Sequence, residues 1–252
     1  MAVLVTRPFP DNEMTAAALR EQGFDVLLAP MLRFEAVAFE DDGAARYDGV
    51  MVTSANALRA VDAFPGKSRW LDLPLFAVGA HTANAARAIG FQQIVAGNSG
   101  AAGLPDLVAA HFCDRKKSGK RGTPRTLLYL AGADRAHDLS DELERHGIGL
   151  VTHTTYAMVP IARLPVVVCD AFAADRVEAV LHYSRRSARA FVAAARADGV
   201  EISALALPQC CISDSVATAL RDAGAAQVMV ARSPDETAML ETVLRVLRTS
   251  RG

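Results

Sequence analysis

Ser54 closes the apolar run 49–53, and Ser184 closes the run 178–183; a helical stretch follows each. A second apolar run then ends on Gly79 in the first case and on Ser213 in the second. A serine between a strand and a helix caps that helix, and the backbone N–H groups just beyond it converge on a point where an anion can sit. Gly79 suits a backbone that takes positive φ or comes close to a neighbour, and Thr82 adds a hydroxyl one turn on. Thr6 and Arg7 end the first apolar strand, where a guanidinium can clamp a carboxylate through paired N–H donors; the competing reading of Arg7 is a surface turn residue. Gly132 and Arg135 follow the run 126–130 as a backbone nest with a cation beside it, and Arg185 and Arg186 stand likewise after Ser184. The shared chemistry is the holding of anions.

Other chemistries leave no trace in the motifs. HExxH, GxSxG, a Walker loop and paired Cys/His ligands are all missing, and the histidines at 81, 111, 137, 146, 153 and 182 lack metal-ligand spacing, so no metal site is expected. Cys113, Cys169, Cys210 and Cys211 show no CxxC pattern and read as reduced thiols. Net charge is −1 and the pI is near 6.6, so no global field favours nucleic acid or a membrane surface. The basic stretch Arg115, Lys116, Lys117, Lys120 and Arg121 has no interleaved aromatics and reads as a solvated connector. The first residues, MAVLVTRPFP, form a strand and turn rather than a signal peptide, and no apolar segment approaches bilayer-spanning length. The expectation is a cytoplasmic, monomeric protein.

The elements that would position these residues alternate between β and α. Ser54 and Gly79 lie 25 residues apart, Ser184 and Ser213 lie 29 apart, and the strand–helix–strand pattern around each pair is the same, which points to two similar lobes with polar loops facing a common space. Hydrophobic residues make up 51% of the 252 and charged residues 22%, enough apolar surface for two cores. The middle of the chain gives five strand signals at 49–53, 75–78, 93–95, 126–130 and 148–154, with helical patterns between them that imply parallel pairing. The last third gives three, at 177–182, 209–212 and 227–230, and the N-terminal runs 2–6 and 25–30 complete a second set of five. In 31–37, Leu32, Phe34 and Ala36 alternate with Arg33 and Glu35, the period of an extended ribbon that can pair with 155–160. The fold expected is α/β: two doubly wound, flavodoxin-like, five-stranded parallel-sheet domains. One is discontinuous (1–33 plus 158–252), one is inserted (38–154), and linker segments 31–37 and 154–160 join them.

VLVTRP near the start, VTSANA at 52–57, AVGAHTANA at 77–85, LAGADR at 130–135, TTYAMVP at 154–160 and SPDETAMLETV at 233–243 occur in this order over almost the whole chain. Together with the duplicated lobes, they resemble the uroporphyrinogen-III synthase family. The resemblance implies a cofactor-free lyase of tetrapyrrole, and hence heme, biosynthesis that closes hydroxymethylbilane to uroporphyrinogen III in a cleft between two domains, inverting the terminal pyrrole ring. Loss of the substrate hydroxyl gives an azafulvene, and a spiro intermediate then fragments and recloses. Left in water, the substrate closes without inversion, so the protein's task is orientation. Tyr156 matches the tyrosine the family turns toward the cleft, where a phenol can protonate the leaving hydroxyl. Thr6, Arg7, Ser54, Gly79, Thr82, Gly132, Arg135, Ser184, Ser213 and Ser215 are the substrate-binding candidates. Where the family often has Gly followed by small hydroxyl residues, this chain has SDSVAT, and Asp214 is expected to face away as a helix cap. Two other classes remain open: a non-catalytic tetrapyrrole or anion-binding protein of the same fold, and a signalling receiver domain, which would need acidic residues clustered at strand ends.

Overall fold

The computed structural model describes residues 2–41, 43–98, 100–114, 125–135 and 138–249. The basic stretch 115–121 and His137 lie outside the described residues. In chain order the first elements are β1 (Ala2–Val5), α1 (Asp11–Glu21), β2 (Asp25–Leu28) and β3 (Leu32–Ala36). There follow β4 (Gly49–Val52), α2 (Ala55–Val61), β5 (Pro74–Val78), α3 (Gly79–Ala88), β6 (Gln93–Gly97), α4 (Leu104–Asp114), β7 (Arg125–Gly132), α5 (Ser140–Arg145) and β8 (Ile148–Pro160). The last are α6 (Val166–Ala173), β9 (Val177–His182), α7 (Arg185–Ala197), α8 (Glu201–Ala206), β10 (Pro208–Cys211), α9 (Asp214–Asp222), β11 (Gln227–Val230) and α10 (Glu236–Thr249).

The chain divides into two compact units, one made of 1–33 with 159–252 and the other of 34–158. The first contains a five-stranded sheet in the order β11-β10-β9-β1-β2, parallel throughout. The other sheet has the order β6-β5-β4-β7-β8-β3, with β4 to β8 parallel. Strands β1 and β4 are buried at every residue, which is why their sequences are continuous apolar runs rather than alternating ones; β10 is equally buried but carries the polar Gln209.

Both faces of the second sheet are covered. Val50, Val52, Leu75, Ala77, Leu128 and Leu130 pack with Ala57, Leu58 and Val61 of α2 and Ala83 and Ala86 of α3. Their neighbours Met51, Phe76, Leu127 and Tyr129 point the other way, onto Leu104, Val108 and Phe112 of α4 and Leu143 of α5. In the first unit, Val3, Val5, Ala179, Leu181 and Cys210 pack on Leu19 of α1 and on Met239, Val243 and Leu247 of α10. On the opposite face, His182 meets the Phe191 ring of α7.

The two sheets share one spatial arrangement but not one chain order. Position for position, β11-β10-β9-β1-β2 matches β6-β5-β4-β7-β8, so β9 corresponds to β4 and β1 to β7. Numbered along the chain, the first unit reads 2-1-3-4-5, the flavodoxin order, while the five parallel strands of the second read 3-2-1-4-5. The halves are thus related by circular permutation, and only one of them has the flavodoxin order.

The second sheet also departs from the expected five strands. β3 joins β8 at its edge, and β8 continues without a break from Ile148 to Pro160, so the second linker segment is the extension of a sheet strand. Val37 N donates to Thr155 O (2.8 Å) and Ile161 N to Met31 O (3.0 Å). Numbers rise on one strand as they fall on the other, so this pair is antiparallel, with Phe34 opposite Met158 and diagonal to Tyr156.

Candidate functional site

In the second unit the C-terminal ends of β4, β7 and β8 gather several of the expected residues. Ser54 leaves β4 in an extended conformation (φ −150°, ψ 142°), and its Oγ accepts from Asn56 N at 3.2 Å, capping α2. Beside it, Thr53 Oγ1 and the Tyr129 hydroxyl lie 3.1 Å apart. Tyr156 pairs with Gly132 just past the point where β8 bulges at Thr155, and Ala133 N donates to Tyr156 O. A Cβ on Gly132 would lie 2.7 Å from Tyr156 Cζ and 2.8 Å from its hydroxyl oxygen, so the phenol ring occupies the space a side chain would need. Its other neighbour is Phe34, stacked at 5.9 Å between centroids and 18° between planes. The Arg59 guanidinium lies over the Phe34 ring, 4.3 Å from its centre. Asn56 Nδ2 reaches Met158 Sδ at 3.7 Å. Gly132 is not among the positive-φ residues, so its role is to admit Tyr156 rather than to form the expected nest. Arg135 is exposed.

Gly79, at the start of α3, takes φ +72°, and a Cβ there would meet nothing within 4 Å. Its requirement is conformational. Thr82 is only 4% exposed and faces the interior, which corrects its expected ligand role.

In the first unit Ser184 repeats the geometry of Ser54 (φ −152°, ψ 149°): its Oγ accepts from Ser187 N at 3.0 Å, and its hydroxyl donates to Ser187 Oγ at 2.9 Å. Ser213 has the same backbone (φ −159°, ψ 163°) without a side-chain cap bond; its Oγ lies 3.1 Å from Ser215 Oγ. Asp214, the first residue of α9, is exposed, and Ser213 holds the cap position expected of it.

Arg7 is fully engaged. Its Nη1 donates to Glu236 Oε2 at 2.9 Å, its Nη2 to Asp11 Oδ2 at 3.2 Å, and the guanidinium lies 4.6 Å from the Tyr183 ring centre. Tyr183 in turn donates to Glu236 Oε1 at 2.9 Å, and burial raises its phenol pKa, with the Glu236 charge adding to the rise. One cation facing two carboxylates is a structural lock. The pocket it borders, about 350 Å³, is also lined by Tyr183, Ser184 and Ser187.

Thr6 is fully buried. Its hydroxyl donates to Leu181 O at 2.7 Å and lies 3.2 Å from His182 Nδ1, so it supports the strand end from inside rather than presenting a donor to a ligand. Gln209 Nε2 is committed to the Ala204 and Leu207 carbonyls, which turns Oε1 toward His182 Nε2 at 2.9 Å. Burial lowers the His182 pKa to about 4, against the Gln209 bond that favours the charged ring. Phe34, Asn56, Tyr183, Glu236 and His182 were not singled out from sequence. The even-numbered face of the 31–37 ribbon was the available signal for Phe34; the others need the fold.

Among the described residues no cluster of three or more His, Cys, Asp or Glu could hold a metal ion, and no helix is long and apolar enough to cross a membrane. A family model described as uroporphyrinogen-III synthase HemD matches residues 13–241. The chain belongs to the uroporphyrinogen-III synthase family. Among solved structures, uroporphyrinogen-III synthetase from Helicobacter pylori matches with a TM-score of 0.66 at 15% identity, covering 97% of this chain and 99% of that one. A mutant uroporphyrinogen III synthase from the extremely thermophilic bacterium Thermus thermophilus matches with a TM-score of 0.54 at 16% identity, covering 99% and 100%. At such identities the likeness is one of fold. No curated protein sequence matches significantly.

Proposed function

We propose that this chain is a uroporphyrinogen-III synthase that cyclises hydroxymethylbilane with inversion of the terminal pyrrole ring and needs no cofactor. Membership of the family supports the substrate. The observation that carries the chemistry is the Tyr156 phenol, held at the strand ends against Gly132 and Phe34.

In this reading the phenol donates its proton to the departing hydroxyl, which leaves as water, and the resulting azafulvene cation is attacked by the terminal ring. The turns at Ser54, Gly79, Ser184 and Ser213 hold substrate carboxylates through backbone N–H groups at the helix starts. Orientation supplies the selectivity, because an unguided chain closes without inversion.

The test is incubation with freshly prepared hydroxymethylbilane and chromatographic separation of the isomers. Isomer III in excess over the uncatalysed isomer I supports the reading; binding without isomer III would make this a tetrapyrrole-binding relative instead. Tyr156→Phe is expected to lower the rate of isomer III formation at least several-fold while leaving the unfolding midpoint in place; unchanged turnover would remove the phenol from the reaction.

A further inference from the structure

We infer that Phe34 is a positioning residue for Tyr156: its ring and the bare α-carbon of Gly132 hold the phenol in one orientation at the strand ends. The inference rests on the reading of Tyr156 as the proton donor. A tyrosine on a strand can ordinarily choose among staggered χ1 wells. Here two of its neighbours restrict that choice. On one side the ring lies so close to Gly132 that even a methyl group there would be within 2.7 Å of Cζ. Phe34 stacks on it at 5.9 Å and 18°, an offset arrangement that aromatic pairs favour.

The placement follows from the strand register. Phe34 and Tyr156 are diagonal neighbours on one face of the β3–β8 pair, and at such separations only large side chains touch. That face looks onto α2. Asn56 and Arg59, three residues apart and so on one side of the helix, meet Met158 and Phe34 respectively. The Arg59 guanidinium also packs on the Phe34 ring, so Phe34 is itself held. Phe34 has no group that can move a proton. Its effect on the reaction must therefore pass through the aim of the phenol, and displacement of a reacting group by about 1 Å can cost up to about a hundredfold in rate.

Phe34→Leu, Phe34→Tyr and Phe34→Leu in a Tyr156→Phe background provide the test. For isomer III formation, Phe34→Leu should lower kcat roughly tenfold with KM within about twofold, and Phe34→Tyr, which keeps the stack, should recover most of the loss. In the Tyr156→Phe background the same change should lower kcat no further, since a residue acting through the phenol has nothing left to act on. A second readout needs no turnover. The protein has four tyrosines, at 47, 129, 156 and 183. With ring-labelled tyrosine, NMR should show the Tyr156 signals moving in Phe34→Leu as the ring current of Phe34 is lost, with the other three unmoved. An unchanged Tyr156 signal overturns the positioning role, as does a loss of kcat equally large with and without the phenol. Failure of the wild-type protein to make isomer III, with the NMR shift intact, would instead sink the proposed reaction and leave the ring contact standing.

Discussion

At Gly132 a Cβ would collide with the Tyr156 ring, whereas at Gly79 it would meet nothing and the demand is a φ of +72°. The two glycines should therefore fail differently. Gly132→Ala must displace Tyr156, so it is expected to cut isomer III formation by an amount approaching that of Tyr156→Phe. Gly79→Ala should cost roughly 1–2 kcal/mol of stability in urea titrations, and Gly79→Asn less, because Asn tolerates the left-handed region. Sequence alone singled out both positions but could not separate these causes. The same limit applied to Thr6, Thr82 and Arg7. A hydroxyl or guanidinium at a strand end looks alike in sequence whether it faces solvent or is consumed by Leu181 O, a helix interior or two carboxylates.

At the scale of elements, Ser54, Ser184 and Ser213 share one extended backbone, yet only the first two accept a bond from their helix through the side chain. Ser184→Ala is expected to cost about 1 kcal/mol, whereas Ser213→Ala should stay within about 0.5 kcal/mol; chemical unfolding midpoints of the two variants check the contrast. The strands were legible because parallel strands buried on both faces spell unbroken apolar runs. The end of β8 was less so. Its alternation at 155–160 gave a ribbon that could pair with 31–37, as it does, but nothing local says that the ribbon is the same strand as 148–154, so that the pair adds a sixth strand to the sheet. That knowledge comes from which hydrogen-bonding edge is left open.

For the molecule as a whole, the buried Thr6–His182–Gln209 chain ties β1, β9 and β10 together and links stability to pH. His182 titrates near 4 in the folded state against 6.5 ordinarily. Above pH 6.5 the ring is neutral in both states and its contribution is complete. Between 6.5 and 4 the unfolded chain takes up a proton that the folded one refuses, so stability falls as pH drops, by on the order of 3 kcal/mol over the window. His182→Gln should flatten that slope in urea midpoints measured from about pH 7 to about pH 4; an identical slope would show that other groups set it. The duplication was readable from the Ser54/Gly79 and Ser184/Ser213 pairs, and the permutation was not, since it appears only when strands are placed side by side.

That permutation sets a timetable for synthesis. By the time residue 160 has been added, every strand of the sheet β6-β5-β4-β7-β8-β3 exists. Strand β1, made before any of them, has only β2 for company until β9 emerges more than 140 residues later, from Val177 onward. The segment 2–28 therefore leaves the ribosome as a strand–helix–strand piece whose β9-facing edge stays unpaired through most of translation, the kind of exposed apolar edge that invites misassociation until it is covered.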